Sequence, residues 1–506
     1  MKQYETFELE FRAEEPVGSQ VQIDLTAEFI CNGDSKKVKG FYAGNGIYKV
    51  RFLPQKAGIY TWKVSGIISV SGQEICKKSD KSHGLLKAVD THFEFEDGTR
   101  FIPFGTTVYA LANQTDQLIA ETMESLKSSP FNKLRHCVFP KDYEFNHNEP
   151  DFFPFEKDEN GKWDVHRPCF AFWDHFDIVL KKLADFGIQS DLILFHPYDR
   201  WGFAELSLED NKVYLDYLLR RLSADPSIWW SMANEYDLVY FKTMEDWYSL
   251  EETVVKNDNY GHLLSNHNCF LFYDFHRKNV THCSCQTVQI FKAVKFMKEY
   301  RKPVCFDECC YEGDIEPEWG NISAKEMVAR FWRAYSVGAF ATHGETFRSD
   351  DEILWWSKGG KLKGKSPERI AFLKSIVEEL DGVIEPWTPE MGFADAGGNM
   401  ADSPIFKQVK KWFTTLSEEQ LAFGEEKATK YTGKTEHAFI RYFNIECISQ
   451  AHMSLPEDKD YRIEVIDTWN MTRTVYAEHA SGSVIVELPG KEGMAVLATE
   501  NRQKLI

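Results

Sequence analysis

The chain has 506 residues, 59 Lys and Arg against 78 Asp and Glu, a formal net charge of −19, 14% aromatic residues and eleven cysteines. So acidic a chain is a poor partner for nucleic acid or an anionic membrane, where a phosphate surface rewards clustered cations; no run reaches the roughly 18 apolar residues of a spanning helix, and the acidic start MKQYETFELEFRAEE reads as no signal peptide. The length exceeds one core, and the odd cysteine count without CxxC spacing points to a reduced, cytoplasmic, multidomain protein with no metal cofactor.

Residues 1–87 alternate apolar and polar positions. Val21, Ile23, Leu25 and Ala27 share one face, Tyr48, Val50 and Phe52 another, and Tyr60, Trp62 and Val64 a third, with turns at Asn32-Gly33, Gly44-Asn45-Gly46 and Gly58. This predicts an N-terminal β-sandwich. After a hairpin signal at Asp97-Gly98, short apolar strands alternate with amphipathic helices. FIPFGTTVYAL (101–111) precedes a helix from about Asp116. KLRHCVFP (133–140) leads through a long insertion, 141–172, to a helix with the stripe Phe176, Val179, Leu180 and Leu183, capped near Gly187. SDLILFHP (190–197) precedes a helix with Val213, Tyr214, Tyr217 and Leu218, and SIWWSMANEY (227–236) one near 243–256. LLSNHNC (263–269) and VTHCSCQ (280–286) follow. KPVCFDECC (302–310) precedes a helix from about Ala324, and GAFATHGETF (338–347) one opening at Ser366-Pro367.

Eight such units over 88–385 predict a (β/α)₈ barrel. A doubly wound sheet would want a glycine-rich phosphate turn after its first strand, and Gly105-Thr106-Thr107-Val108 is not one. Residues 382–400 are rich in Pro and Gly and read as a linker. HAFIRYF, YRIEVIDTW, SVIVELP and MAVLATE then place a second β-sandwich within 386–506.

In such a barrel the reactive groups sit at the C-terminal strand ends. Asn234-Glu235 ends the fourth strand and Glu308 the seventh. Two carboxylates converging on one bond are what glycoside hydrolysis requires. Asn-Glu after strand four and Glu after strand seven resemble the clan A glycoside hydrolases, retaining (β/α)₈ enzymes, over roughly 88–385. The flanking stretches FYAGNGIYKVRFLPQKAGIYTW and YRIEVIDTWNMT are similar to accessory β-domains of a bacterial subset of them.

The resemblance implies Glu235 as general acid/base, Glu308 as nucleophile, and Asn234 bonding the sugar hydroxyl beside the reacting carbon. It also implies a His or Tyr near the end of strand six, where THCSCQ leaves His282 and Gln286 as alternatives. A stacking tryptophan after strand eight would be Trp355 or Trp356. Arg135, a candidate donor to Glu308 and read either as a substrate clamp or as a structural salt-bridge member, completes the candidate substrate-binding set with His196, Tyr198, His267 and His343 near their strand ends. The expected reaction is cleavage of a small glycoside with an equatorial leaving group. Exo-action is expected because the 141–172 insertion sits on the active face. The expected partner is a carbohydrate substrate, and the two β-domains offer surfaces for self-association.

Two rivals remain. A metal-dependent hydrolase could use the strand-end histidines with Asp307, although such barrels usually carry His-x-His on the first strand and no two histidines here are two apart. A non-catalytic carbohydrate-binding barrel would have lost a carboxylate, and both are present.

Overall fold

The computed structural model describes residues 1–350, 352–387, 403–417, 419–420 and 431–502; residues 388–400 of the expected linker lie outside them. The backbone divides into two compact units, residues 1–286 with 342–363, and residues 287–341 with 364–506.

Eight parallel strands form the central sheet of a (β/α)₈ barrel. They are β1 (Gly105–Thr107), β2 (Lys133–Cys137), β3 (Gln189–Phe195), β4 (Ile228–Ala233), β5 (Leu264–Ser265), β6 (Cys283–Gln286), β7 (Val304–Glu308) and β8 (Phe340–His343), in the order β5-β4-β3-β2-β1-β8-β7-β6. The strands β1 to β5 are buried on both faces, and β3 and β4 accordingly read as largely apolar runs rather than alternating ones. Register is set pairwise, with Arg135 opposite Asp191, Asp191 opposite Trp229, and Trp230 opposite Leu264. Hydrogen bonds also join β5 to β6. The Thr281 N–H donates to Leu264 O (2.8 Å), the Ser265 hydroxyl to His282 O (2.7 Å), and Asn268 exchanges two bonds with Gln286.

In the first unit, helix α1 (Asp116–Lys127) starts at a Thr115 cap, α3 (Leu208–Leu222) at a Ser207 cap, and α4 (Met244–Asn257) at a Thr243/Asp246 capping box. Helix α2 (Phe170–Asp185) buries Phe176, Val179, Leu180 and Leu183, and α3 buries Val213, Tyr214, Tyr217 and Leu218, as their spacing predicts. Gly187 takes φ +74° just past α2, where a side chain would be strained. No helix follows β5. Residues 266–281 run irregularly instead, because NHNCFLFYDFHRKN has no helical stripe and the buried Glu251 carboxylate of α4 organises it. That carboxylate accepts bonds from Tyr273 (2.8 Å), Arg277 (2.9 Å) and Asn279 (2.9 Å).

The N-terminal residues form two antiparallel sheets. One holds Phe7–Arg12, Ile47–Phe52 and Phe41–Tyr42; the other Asp34–Lys39, Leu25–Cys31, Gly58–Gly66 and Val70–Cys76. Leu25, Phe29, Tyr48, Phe52 and Val64 fill their core, with Phe29 and Phe52 stacked at 3.9 Å. Asn32 and Gly33 both take positive φ, the turn that matches the strand twist.

The second unit contains β7, α5 (Ala293–Tyr300), α6 (Ala324–Tyr335) and α7 (Ser366–Glu379), which has Pro367 in its first turn. Its C-terminal part is an antiparallel sheet that includes Tyr431–Lys434, Ala438–Tyr442, Tyr461–Asp467, Thr472–Ala480 and Met494–Glu500, over a core around Met453, Ile463, Val486 and Val496. Among the described residues no helix is long and apolar enough to cross a membrane.

Candidate active site

Strand β4 ends where two polar residues replace the apolar run. The Asn234 N–H still donates to Phe195 O (2.9 Å), continuing the ladder. Glu235 then adopts the left-handed conformation (φ 54°, ψ 58°), and a single 3₁₀ turn, Tyr236–Leu238, follows. That backbone costs a non-glycine residue on the order of 1 kcal/mol. It turns the chain so that the Tyr236 N–H reaches His267 O (2.9 Å).

Glu235 is 6% exposed. The Tyr198 hydroxyl donates to Oε2, Gln286 Nε2 to Oε1 (3.1 Å) and Asn234 Nδ2 to Oε2 (3.3 Å). Its backbone N–H points at His267 Nδ1 (3.4 Å). Among the described residues no lysine or arginine lies within ion-pair distance of it. A purely structural buried carboxylate is normally paired with a cation, whereas this one is held by three neutral donors.

Asn234, 2% exposed, is oriented by Tyr109, whose hydroxyl donates to Oδ1 (2.9 Å), and by Arg135 Nη2 (3.3 Å). Arg135 in turn lies 3.7 Å from Asp191, which is paired with Lys133 at 2.8 Å. Arg135 thus touches the candidate-site residue Asn234 and also sits in a buried charge cluster. His196 donates from Nε2 to Phe139 O (3.2 Å). Burial, and then the positive charge of Lys141, push its pKa down to about 3, so it is neutral at working pH. Lys141, Tyr143 and Phe145 arrive from the 141–172 insertion. The Asp142 N–H donates to Tyr198 O (2.9 Å), and Tyr143 packs edge-on against Tyr198 and Trp356. Trp356 also packs against Tyr109.

Asn234, Glu235, Arg135, Tyr198, His267 and Trp356 are thus brought together, with His196 beside them. Three expected residues are not. His282 precedes β6 and packs edge-on against Trp229 and Phe93. It is four residues, about 13 Å of strand, from Gln286, which is the strand-six residue that reaches Glu235. His343 lies within β8, bonded through Nδ1 to the Thr106 hydroxyl and stacked on Phe131 at 4.6 Å. Trp355 donates to that same hydroxyl (2.8 Å). The two tryptophans part because successive side chains on the turn Trp355–Lys358 point about 100° apart.

Glu308 ends β7 and is half-buried; its carbonyl accepts the Thr287 N–H (3.0 Å). Asp307 beside it is fully buried. Sequence reasoning did not assign Tyr109, Lys141 or Tyr143 to the site. The signal for Tyr109 was its place two residues past β1. For Lys141 and Tyr143 it was the polar–aromatic run that opens the insertion.

The family profile described as the apiosidase-like catalytic domain matches residues 88–401. Residues 1–66 match a domain of unknown function (DUF5060) and residues 428–499 another (DUF5605). The crystal structure of a candidate glycoside hydrolase from Bacteroides vulgatus ATCC 8482 is similar over 99% of this chain and 99% of that one, at 30% identity and a TM-score of 0.87. A family 5 glycoside hydrolase from the same organism shares the fold at 13% identity, over 84% of this chain and 95% of that one, with a TM-score of 0.62. Among curated proteins nothing matches.

Proposed function

The chain belongs to the apiosidase-like catalytic-domain family, and on that footing we propose that it is a retaining glycoside hydrolase with Glu235 as general acid/base and Glu308 as nucleophile. The observation that carries the reading is the Glu235 carboxylate, buried at a strand end on strained backbone and held only by neutral donors. Such a group can lose and regain a proton without breaking an ion pair.

In the proposed reaction Glu308 attacks the anomeric carbon as Glu235 gives its proton to the leaving oxygen. A glycosyl ester on Glu308 and a free alcohol result. Glu235 then takes a proton from water, which attacks the same carbon, releases Glu308 and restores Glu235, with net retention. This route needs the two carboxyls about 5 Å apart. Asn234, fixed by Tyr109 and Arg135, bonds the neighbouring sugar hydroxyl, and Trp356 offers the ring a flat face. Exo-action on small glycosides is supported by the insertion, which sets Lys141 and Tyr143 against Tyr198 and Trp356.

A panel of 4-nitrophenyl glycosides tests the proposal. It should include apiosides, after which the family is called apiosidase-like, and be followed by proton NMR of the first-formed anomer. We expect release with retained configuration that survives metal chelation. Activity abolished by a chelator and restored by a divalent ion would favour the metal-dependent alternative.

A further inference from the structure

Lys141 is 3% exposed, a burial that lysine rarely reaches. Its Nζ lies 3.8 Å from the ring centre of Tyr109, 4.3 Å from that of Tyr198, 4.6 Å from Trp356 and 5.6 Å from Tyr143. Its backbone is fixed as well. Asn146 Nδ2 donates to Lys141 O (2.5 Å), and Tyr143 and Asn146 exchange backbone bonds of 3.0 and 2.7 Å. The first two rings have a common property. The Tyr109 hydroxyl donates to Asn234 Oδ1, and the Tyr198 hydroxyl to Glu235 Oε2.

We infer that Lys141 is a positioning residue, whose ammonium, lying on the faces of Tyr109 and Tyr198, fixes the two phenols that hold Asn234 and Glu235. The inference rests on Glu235 being the proton-transfer group. A cation on an aromatic face is attracted by the ring quadrupole. It also draws electron density from the ring, which makes each phenol a stronger donor to its partner. One side chain from the insertion therefore sets the orientation of both residues of the Asn-Glu pair through the two phenols. The ammonium lies over the rings of Tyr109, Tyr198, Trp356 and Tyr143. An uncharged residue of similar length would fill the same space and lose this attraction.

The test compares Lys141→Met, which keeps the volume, and Lys141→Arg, which keeps the charge, with wild type and Glu235→Gln. The probe is the best 4-nitrophenyl glycoside from the panel, and a crystal structure of Lys141→Met is determined in parallel. We expect Lys141→Met to melt no lower than wild type and to lose kcat by roughly tenfold or more with little change in KM. Lys141→Arg should recover part of the loss, and the Tyr198 hydroxyl should leave Glu235 in the Lys141→Met crystal. An unchanged kcat, or both phenols still bonded to Asn234 and Glu235, would overturn the inference. A fully active Glu235→Gln would remove the proton-transfer reading itself. An inactive Glu235→Gln beside a fully active Lys141→Met removes only the role of Lys141. If no glycoside is turned over, the crystal structure alone decides.

Discussion

Glu235 combines a left-handed backbone with a buried carboxylate, and neither is needed to end a strand. Costs of this kind persist where surrounding contacts over-determine them, and they cluster at functional sites. Glu235→Gln keeps the size of the side chain and part of its hydrogen bonding. We therefore expect its melting temperature to stay near wild type while kcat/KM for a poor leaving group falls by about a thousandfold. A dinitrophenyl glycoside, whose aglycone leaves without protonation, should lose far less in its first step. Steady-state rates on the two substrates check this; an equal loss on both would argue that the acid role lies elsewhere. Asn234-Glu235 was legible in the sequence because polar residues closing a fully buried strand have no packing reason to be there. Lys141 was not, since its role depends on Tyr109, Tyr198 and Trp356 meeting around it from three separate segments. The choice between His282 and Gln286 stayed open because the sequence does not give the bounds of so short a strand, Cys283–Gln286, and hence which residue stands at its C-terminal end.

At the scale of elements, the connection from α4 to β5 is pinned beneath β4 by a buried pair. Asp258 and His262 lie 2.9 Å apart, Trp230 Nε1 donates to Asp258 (3.2 Å), and His262 Nε2 donates to Asp225 O (2.9 Å). Burial alone would raise the Asp258 pKa, but the charge and hydrogen bond of His262 outweigh it and bring it down to about 2. For His262, burial is likewise outweighed by Asp258, and its pKa is raised. The stabilisation from Asp258 is therefore present above its ordinary value near 4 and is lost as pH falls toward 2. That from His262 is complete below about 6.5 and is lost as pH rises through its raised value. Asp258→Asn should cost about 3 kcal/mol near pH 6 and flatten both limbs of the stability–pH curve. Urea unfolding across pH measures it; unchanged limbs would mean the pair contributes nothing. Most strands and helices here were legible from period and flanking turn residues, α5 excepted. The missing helix after β5 was not, because the order of residues 266–281 comes from Glu251, a distant carboxylate, rather than from any local repeat.

Across the larger of the two units, the N-terminal sheets are built onto the barrel helices. Arg51 pairs with Asp177 of α2 (2.6 Å) and donates to Arg221 O of α3 (2.9 Å), while Arg221 pairs with Asp174 (2.5 Å) and Asp177 (2.9 Å). The Tyr217 hydroxyl donates to Tyr42 O (3.0 Å), and the Leu53 N–H donates to the Tyr260 hydroxyl (2.9 Å). Burial would raise the Asp177 pKa, yet the two arginines hold it below the usual carboxylate range. This contribution is present above that range and lost on acidification. Alternation announced the N-terminal sheets in the sequence, but their attachment to α2 and α3 was invisible there, because charged residues on a helix face read as solvated. Removing residues 1–87 should therefore expose Arg221, Tyr217 and Tyr260 and leave a barrel that aggregates or melts well below the full chain. A truncated protein as soluble and heat-stable as the full one would contradict this.

A two-carboxylate displacement between Glu235 and Glu308 passes through a glycosyl ester, which the 2-deoxy-2-fluoro analogue of whichever glycoside is hydrolysed should trap for mapping by peptide mass spectrometry. Stoichiometric inactivation with the sugar esterified to Glu308 is the expected result. A label on another residue, or no adduct together with a product of inverted configuration, would contradict it.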